Sequence, residues 1–131
     1  MKKILCVGSI TTDVIVTPVD SVPEPGVLRS VNSISTHVGG CASNAAIDLA
    51  KLGVPVVLSG KVGYDSYGDF VRKTAAEAGV DVKGLVSGEV STTVSIVCIN
   101  SSGERSFLYN PGSSADFILS DISEEVVDDC D

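Results

Sequence analysis

Three glycines, Gly53, Gly63 and Gly79, divide the middle of this 131-residue chain into segments of alternating period, and that alternation constrains the fold most. Residues 42–52 place Ala42, Ala45, Ala46, Leu49, Ala50 and Leu52 at helical spacing, and Gly53 with Pro55 just beyond it stops the helix. Val54 to Val62 reads as a second buried strand. Ser66 to Ala78 reads as a second helix, with Asp65 as its cap and Gly79 as its stop, and Val80 to Val86 as a further strand. Lys3 to Ile10 supplies one more apolar run upstream. Helices spaced between buried strands predict a parallel sheet with right-handed crossovers.

Two regions do not fit that layer. Thr11 to Val16 continues extended but contains Asp13, and Val27 to Val38 mixes polar and apolar residues as one or two half-exposed strands. Thr92 to Asn100 alternates, with Val94, Ile96 and Cys98 on one side and Thr93, Ser95 and Val97 on the other. The Ser101–Glu104 turn and the run Arg105 to Asn110 make it a hairpin. These polar strands, within 12–38 and 92–110, are expected to form a small sheet separate from the main layer. Ser120 or Ser123 is placed to cap a last helix.

The densest pattern lies at Gly39 to Gly63: Gly-Gly-x-Ala-x-Asn-x-Ala, six residues, Gly53, nine residues, Gly63. Two glycines let a ligand approach the backbone. The helix behind them offers free N–H groups and a partial positive charge. Asn44 brings a donor and an acceptor, as a sugar hydroxyl requires. Each residue also has a plainer reading: Gly39-Gly40 as a tight turn, Asn44 as a helix cap, Asp13 as a turn or cap residue.

Composition excludes several classes. No run approaches the ~18 apolar residues of a membrane-spanning helix, and the first apolar run is too short for a signal-peptide core. Cytoplasmic location is therefore expected. Six of the seventeen acids fall in the last eleven residues, which reads as a solvated helix face; the nine basic residues form no patch, which argues against nucleic acid. Cys6, Cys41, Cys98 and Cys130 have no CxxC spacing, and His37 is the one histidine, so no metal site is expected. Cys6 and Cys98, inside apolar runs, are expected to be buried thiols.

The stretch GGCASNAAIDLAKLGVPVVLSGKVG matches the N-terminal signature of the ribokinase-like (PfkB-type) carbohydrate kinases. VGSITTDVIV resembles the family's opening strand with its sugar-gripping Asp, VGYDSYG its Gly-x-Asp-x-x-Gly turn, and GERSFLYNPGSSADF the strand and loop completing a substrate lid. The resemblance covers essentially the whole chain.

It implies an α/β fold: a partial doubly wound, mainly parallel sheet flanked by helices, with a small β-sheet lid. Residues 1–131 would be the N-terminal part of a single kinase domain. By resemblance, Asp13 accepts hydrogen bonds from sugar hydroxyls and Thr11 lies beside it. Gly39 and Gly40 touch substrate and hinge the lid, Asn44 binds another hydroxyl, and Thr93 and Tyr109 are lid candidates. Cys41 stands where ribokinases proper carry Lys, so ribose is not implied. The full-length enzyme would transfer a phosphoryl group from ATP, with Mg²⁺, to a small-molecule sugar. A homodimer through the lid is in keeping with the family.

Phosphoryl transfer needs a nucleotide cradle, a bridging cation and a base. In the family these lie toward the C-terminus. This sequence contains no Gly-x-Gly-Asp and no Gly-Lys-Ser/Thr. No catalytic residue, metal ligand or complete ATP site is therefore expected within it, the C-terminal catalytic half is expected to be absent, and the 131-residue chain alone is expected to be inactive. The alternatives are a non-catalytic sugar-binding or regulatory module and, further off, a nucleotide-dependent oxidoreductase, for which the Gly-x-Gly-x-x-Gly fingerprint is lacking.

Overall fold

The computed structural model describes residues 2–130. Its strands are β1 (Ile4–Val7), β2 (Thr11–Thr17), β3 (Ser33–Gly39), β4 (Val56–Gly63), β5 (Asp81–Gly88), β6 (Val94–Ile99) and β7 (Arg105–Asn110). Its helices are α1 (Cys41–Lys51), α2 (Ser66–Glu77), the single turn α3 (Gly112–Ala115) and α4 (Glu124–Asp128).

The strands form two sheets. The first is parallel, ordered β1-β4-β5. The second is ordered β3-β2-β6-β7, with β2 and β6 parallel and the other pairs antiparallel. The polar strands thus make a sheet of their own, because their half-buried side chains cannot serve a layer covered on both faces.

Helices cover both faces of the first sheet. On one face Leu58, Val62 and Leu85 pack with Ala42 and Ala46 of α1 and Val71 and Ala75 of α2. On the other, Val57 packs with Val126 and Cys130. The glycine stops hold: the Val54 and Val80 amides turn back to the Leu49 and Ala75 carbonyls at 3.0 and 3.1 Å. Ser123 caps α4 through the Val126 amide.

Several expectations need correction. The Lys3–Ile10 run is not one buried strand. β1 ends at Val7, and Ile4 and Val7 are 42% and 44% exposed on an edge strand. Ile10 then plugs the core as the chain crosses to the second sheet. In 27–38 only Ser33 onward is a strand. On α1, Ser43 is buried, whereas Ala45 is exposed and Leu52 lies 79% exposed beyond the helix. Cys6 and Cys98 are only partly buried, and the buried thiol is Cys130.

The acidic tail is not simply solvated. Asp129 takes salt bridges at 2.8 Å from Lys3 and Lys83, and Lys3 also binds Asp81 at 2.8 Å. Asp121 and Asp116 hold Lys61. Hydrogen bonds from Lys3 and Lys83 pull Asp129 down to about 2. A carboxylate depressed by folding contributes stability above its ordinary range near 4 and loses it as pH falls toward 2. These groups are partly exposed, so the contribution is small. We expect wild type to lose a few degrees more of melting temperature than Asp129→Asn between pH 4 and pH 2 at low salt, roughly 2–4 °C. About 0.5 M salt should shrink the difference. Identical pH dependence of the two proteins would show that the bridges contribute nothing.

Candidate functional site

The β3–α1 corner is built around backbone contact. Gly40 has φ +97° and ψ 144°, and it begins α1 with no side-chain cap. A Cβ there would lie 2.9 Å from Ile10 Cα and collide with the Ser9 carbonyl. Only glycine permits both that angle and that approach. Ser43, one turn into α1, returns its hydroxyl to the Gly39 and Gly40 carbonyls and fixes the corner.

Gly39 is glycine for a different reason. It is the cross-strand partner of Thr11, and a Cβ on it would sit 2.8 Å from Asp13 Cγ and overlap the carboxylate. The Asp13 side chain therefore lies over the Gly39 backbone. Burial raises the Asp13 carboxyl above its ordinary range, and the charge of His37 opposes that rise. Among the described residues no donor hydrogen-bonds to Asp13. A partly buried carboxylate with a raised proton affinity and no donor of its own is open to accept hydrogen bonds from a ligand.

Register sets what surrounds it. Asp13 pairs with His37 on β3 and with Ser95 on β6, and Ser95 pairs with Tyr109 on β7. Cross-strand partners share a face, so His37, Asp13, Ser95 and Tyr109 form one row across all four strands. Ser95 is buried between its larger neighbours, and Tyr109 is 59% exposed.

The structure brings Thr11, Asp13, Gly39, Gly40 and Tyr109 to this face and its adjoining corner. Cys41 and Asn44 are exposed on the first turn of α1. Asn44 does not cap the helix, since Gly40 holds that position. Thr93 is fully buried, and its hydroxyl is engaged: it donates to the Pro111 carbonyl at 2.7 Å and accepts from the Ser114 amide at 2.9 Å. Ser95 and His37 were not singled out as ligand groups, because their place depends on pairing between distant strands.

A polar joint anchors this sheet to the first one. Asp65 caps α2 through the Gly68 amide at 2.8 Å and accepts from the Thr92 amide and hydroxyl at 2.8 and 2.7 Å. Burial works against the Asp65 carboxylate, but these bonds outweigh it and hold it below its usual range. The Thr92 hydroxyl also accepts from the Gly63 amide at 2.9 Å. Ser113 donates to the Lys61 carbonyl and Ser114 to that of Ile10, so α3 ties β4 to the segment that leads into β2.

No helix among the described residues is long and apolar enough to cross a membrane. A concavity lined by Leu119, Ile122, Glu124, Val127 and Asp128 shares no residue with the Asp13 row.

Comparison with known proteins agrees with the fold. Ribokinase of Bacillus subtilis is 33% identical over 118 residues, covering 88% of this chain and 39% of the relative. The crystal structure of fructokinase from Xylella fastidiosa superposes with a TM-score of 0.81 at 29% identity, over 98% of this chain and 38% of that one. Arabidopsis thaliana ribokinase, solved with ribose and ATP, gives 0.84 at 25% identity, over 98% and 43%. The chain spans between 24% and 39% of the length of the curated relatives it matches. The family model for pfkB family carbohydrate kinases matches residues 1–131. From its first residue to its last, this chain belongs to the pfkB family of carbohydrate kinases.

Proposed function

We propose that this chain is the N-terminal, sugar-binding portion of an ATP-dependent sugar kinase that works in the cytoplasm. The observation that carries the reading is the Asp13 carboxylate, laid over Gly39 with no donor from the protein. Asp13 accepts hydrogen bonds from sugar hydroxyls, with Thr11 beside it. Gly39 and Gly40 form the floor against which the sugar rests. Asn44 and Cys41 face it from the first turn of α1. Tyr109 closes the row from β7, and Thr93 contributes by anchoring the turn behind it. The second sheet acts as the lid. The names of the relatives support a sugar as the ligand, and the family supports phosphoryl transfer to a hydroxyl.

ATP and Mg²⁺ belong to the full-length enzyme. Among the described residues no three His, Cys, Asp or Glu side chains converge to hold an ion. The residues present do not form a Mg²⁺ seat, so no step is assigned to the metal here. The outer face of the second sheet carries Val14, Val16, Ile96 and Cys98, with Ile34 67% and Leu108 63% exposed. That apolar face supports a homodimer through the lid.

The test compares this chain with the full-length protein against sugars, sugar acids and nucleosides, reading binding by calorimetry and turnover with labelled ATP. The full-length protein should phosphorylate at least one member, and the 131-residue chain none. Turnover by the clean short chain, or no binding by the full-length protein to any member, would refute the proposal.

A further inference from the structure

We infer that the Gly63-x-Asp65-x-x-Gly68 motif is a socket for Thr92, and that Asp65 and Thr92 are positioning residues that set the second sheet, with Asp13 on it, against the Gly40 corner. The inference deepens the sugar-binding reading and rests on it. All three fixed residues of the motif meet Thr92. The Gly63 amide donates to the Thr92 hydroxyl at 2.9 Å. Asp65 accepts from the Thr92 amide with one carboxylate oxygen at 2.8 Å and from the hydroxyl with the other at 2.7 Å. A Cβ on Gly63 would lie 2.6 Å from the Thr92 nitrogen, and one on Gly68 would lie 3.2 Å from the Thr92 hydroxyl oxygen. Neither glycine has a positive φ, so both are small to make room rather than to permit a backbone angle. Threonine suits the seat because one hydroxyl both donates and accepts, and at 1% exposure water cannot replace either bond.

Thr92 stands where the chain leaves the first sheet for the second, between β5 and β6. The next residue passes its position on: the Thr93 carbonyl accepts from the Thr12 amide at 2.9 Å, and Asp13 follows Thr12. The socket belongs to the other layer. Gly63 ends β4, and Asp65 begins α2, whose Val71 and Ala75 share a core with Ala42 and Ala46 of α1. Seating Thr92 therefore fixes Asp13 relative to the helix that Gly40 begins. Capping alone does not account for the arrangement. An N-cap needs one oxygen on one helix amide, which Asp65 supplies through Gly68 at 2.8 Å. Its second oxygen goes to the Thr92 amide instead.

Two measurements in the full-length protein test it. The first needs no sugar: amide hydrogen exchange in wild type, Thr92→Val, Thr92→Ser, Asp65→Ser and Ser123→Ala. Thr92→Val keeps the shape and loses the hydroxyl. Asp65→Ser keeps a helix cap, but its one oxygen cannot hold Thr92 as well. Ser123→Ala removes the cap of α4 and controls for a general loss of stability. The Thr12 amide should exchange about tenfold faster or more in Thr92→Val and Asp65→Ser. It should keep its wild-type rate in Thr92→Ser and Ser123→Ala, and the Val54 amide of the first layer should keep its rate in all. The second measurement reads affinity for D-fructose and D-ribose by calorimetry. Binding should be about tenfold weaker in Thr92→Val and Asp65→Ser and within about twofold of wild type in Thr92→Ser. A Thr12 amide unmoved in either loosened variant overturns the inference, and so does a faster Thr12 amide with wild-type affinity. An equal affinity loss in Ser123→Ala also overturns it, since that would mark stability alone. A faster Thr12 amide in proteins that bind neither probe nor any other member of the panel would instead refute the sugar-kinase reading and leave the socket standing.

Discussion

Asp13→Ala should weaken sugar binding by the full-length protein about thirtyfold or more, equivalent to roughly 2 kcal/mol, while leaving the protein folded. The carboxylate is a charge-assisted acceptor, and no side chain nearby duplicates it: Ser95 is a neutral hydroxyl, and Tyr109 sits two strands away. Folding does not depend on it. Burial raises the Asp13 carboxyl, so the native state carries a cost above the ordinary range near 4 that is absent below it. Asp13→Asn should therefore melt at the same temperature as wild type, or about 1–3 °C higher, at pH 7, with the difference vanishing near pH 3.5. Calorimetry and thermal melts separate the two effects. Unchanged affinity, or a large fall in melting temperature at pH 7, would remove Asp13 from the binding role.

Gly40→Ala should cost about 3 kcal/mol or more of folding stability. Two penalties coincide there: a φ of +97°, and a backbone neighbour at 2.9 Å that cannot rotate away. Gly53→Ala provides the control. Gly53 has φ +80° but nothing within 4 Å of its added Cβ, so only the angle is charged, at about 1–2 kcal/mol. Urea unfolding of the two variants measures the difference. Equal costs would mean that the close approach of Ser9 and Ile10 to the corner contributes nothing.

What could be read in the residues followed local chemistry. Gly53 and Gly79 stop their helices, Asp65 and Ser123 cap theirs, and the β4 and α2 boundaries fall within two residues of the expected ones. A cap or a stop is settled by neighbours in the chain, so a single sequence shows it. The Gly40 corner was legible for the same reason, through the backbone angle it demands, whereas Asp13 as a ligand group comes from the family resemblance alone.

What escaped depended on partners far along the chain. β1 is as apolar as a buried strand, and nothing within it tells an edge from a centre. Ser43 displaced Ala45 from the buried face because small residues crowd α1 and its apolar stripe has no sharp border. The buried thiol is Cys130 rather than Cys6 or Cys98 because α4 folds back over Val57, a contact no local period encodes. Ser95 and His37 entered the row only through the registers of β6 and β3 against β2.

The parallel pairing of β2 with β6 has a kinetic consequence. Thr12 meets Val94, about 80 residues later, so the second sheet closes only after the intervening chain has collapsed onto the first. The hairpin β6–β7 can form early, yet it has nothing to dock on until β2 is in place. Asp13, Ser95 and Tyr109 therefore come together among the last events of folding. A ligand held by that row acts as a clock for completion: its binding amplitude during refolding should trail the recovery of helix signal, because a half-folded chain possesses the helices but not the row.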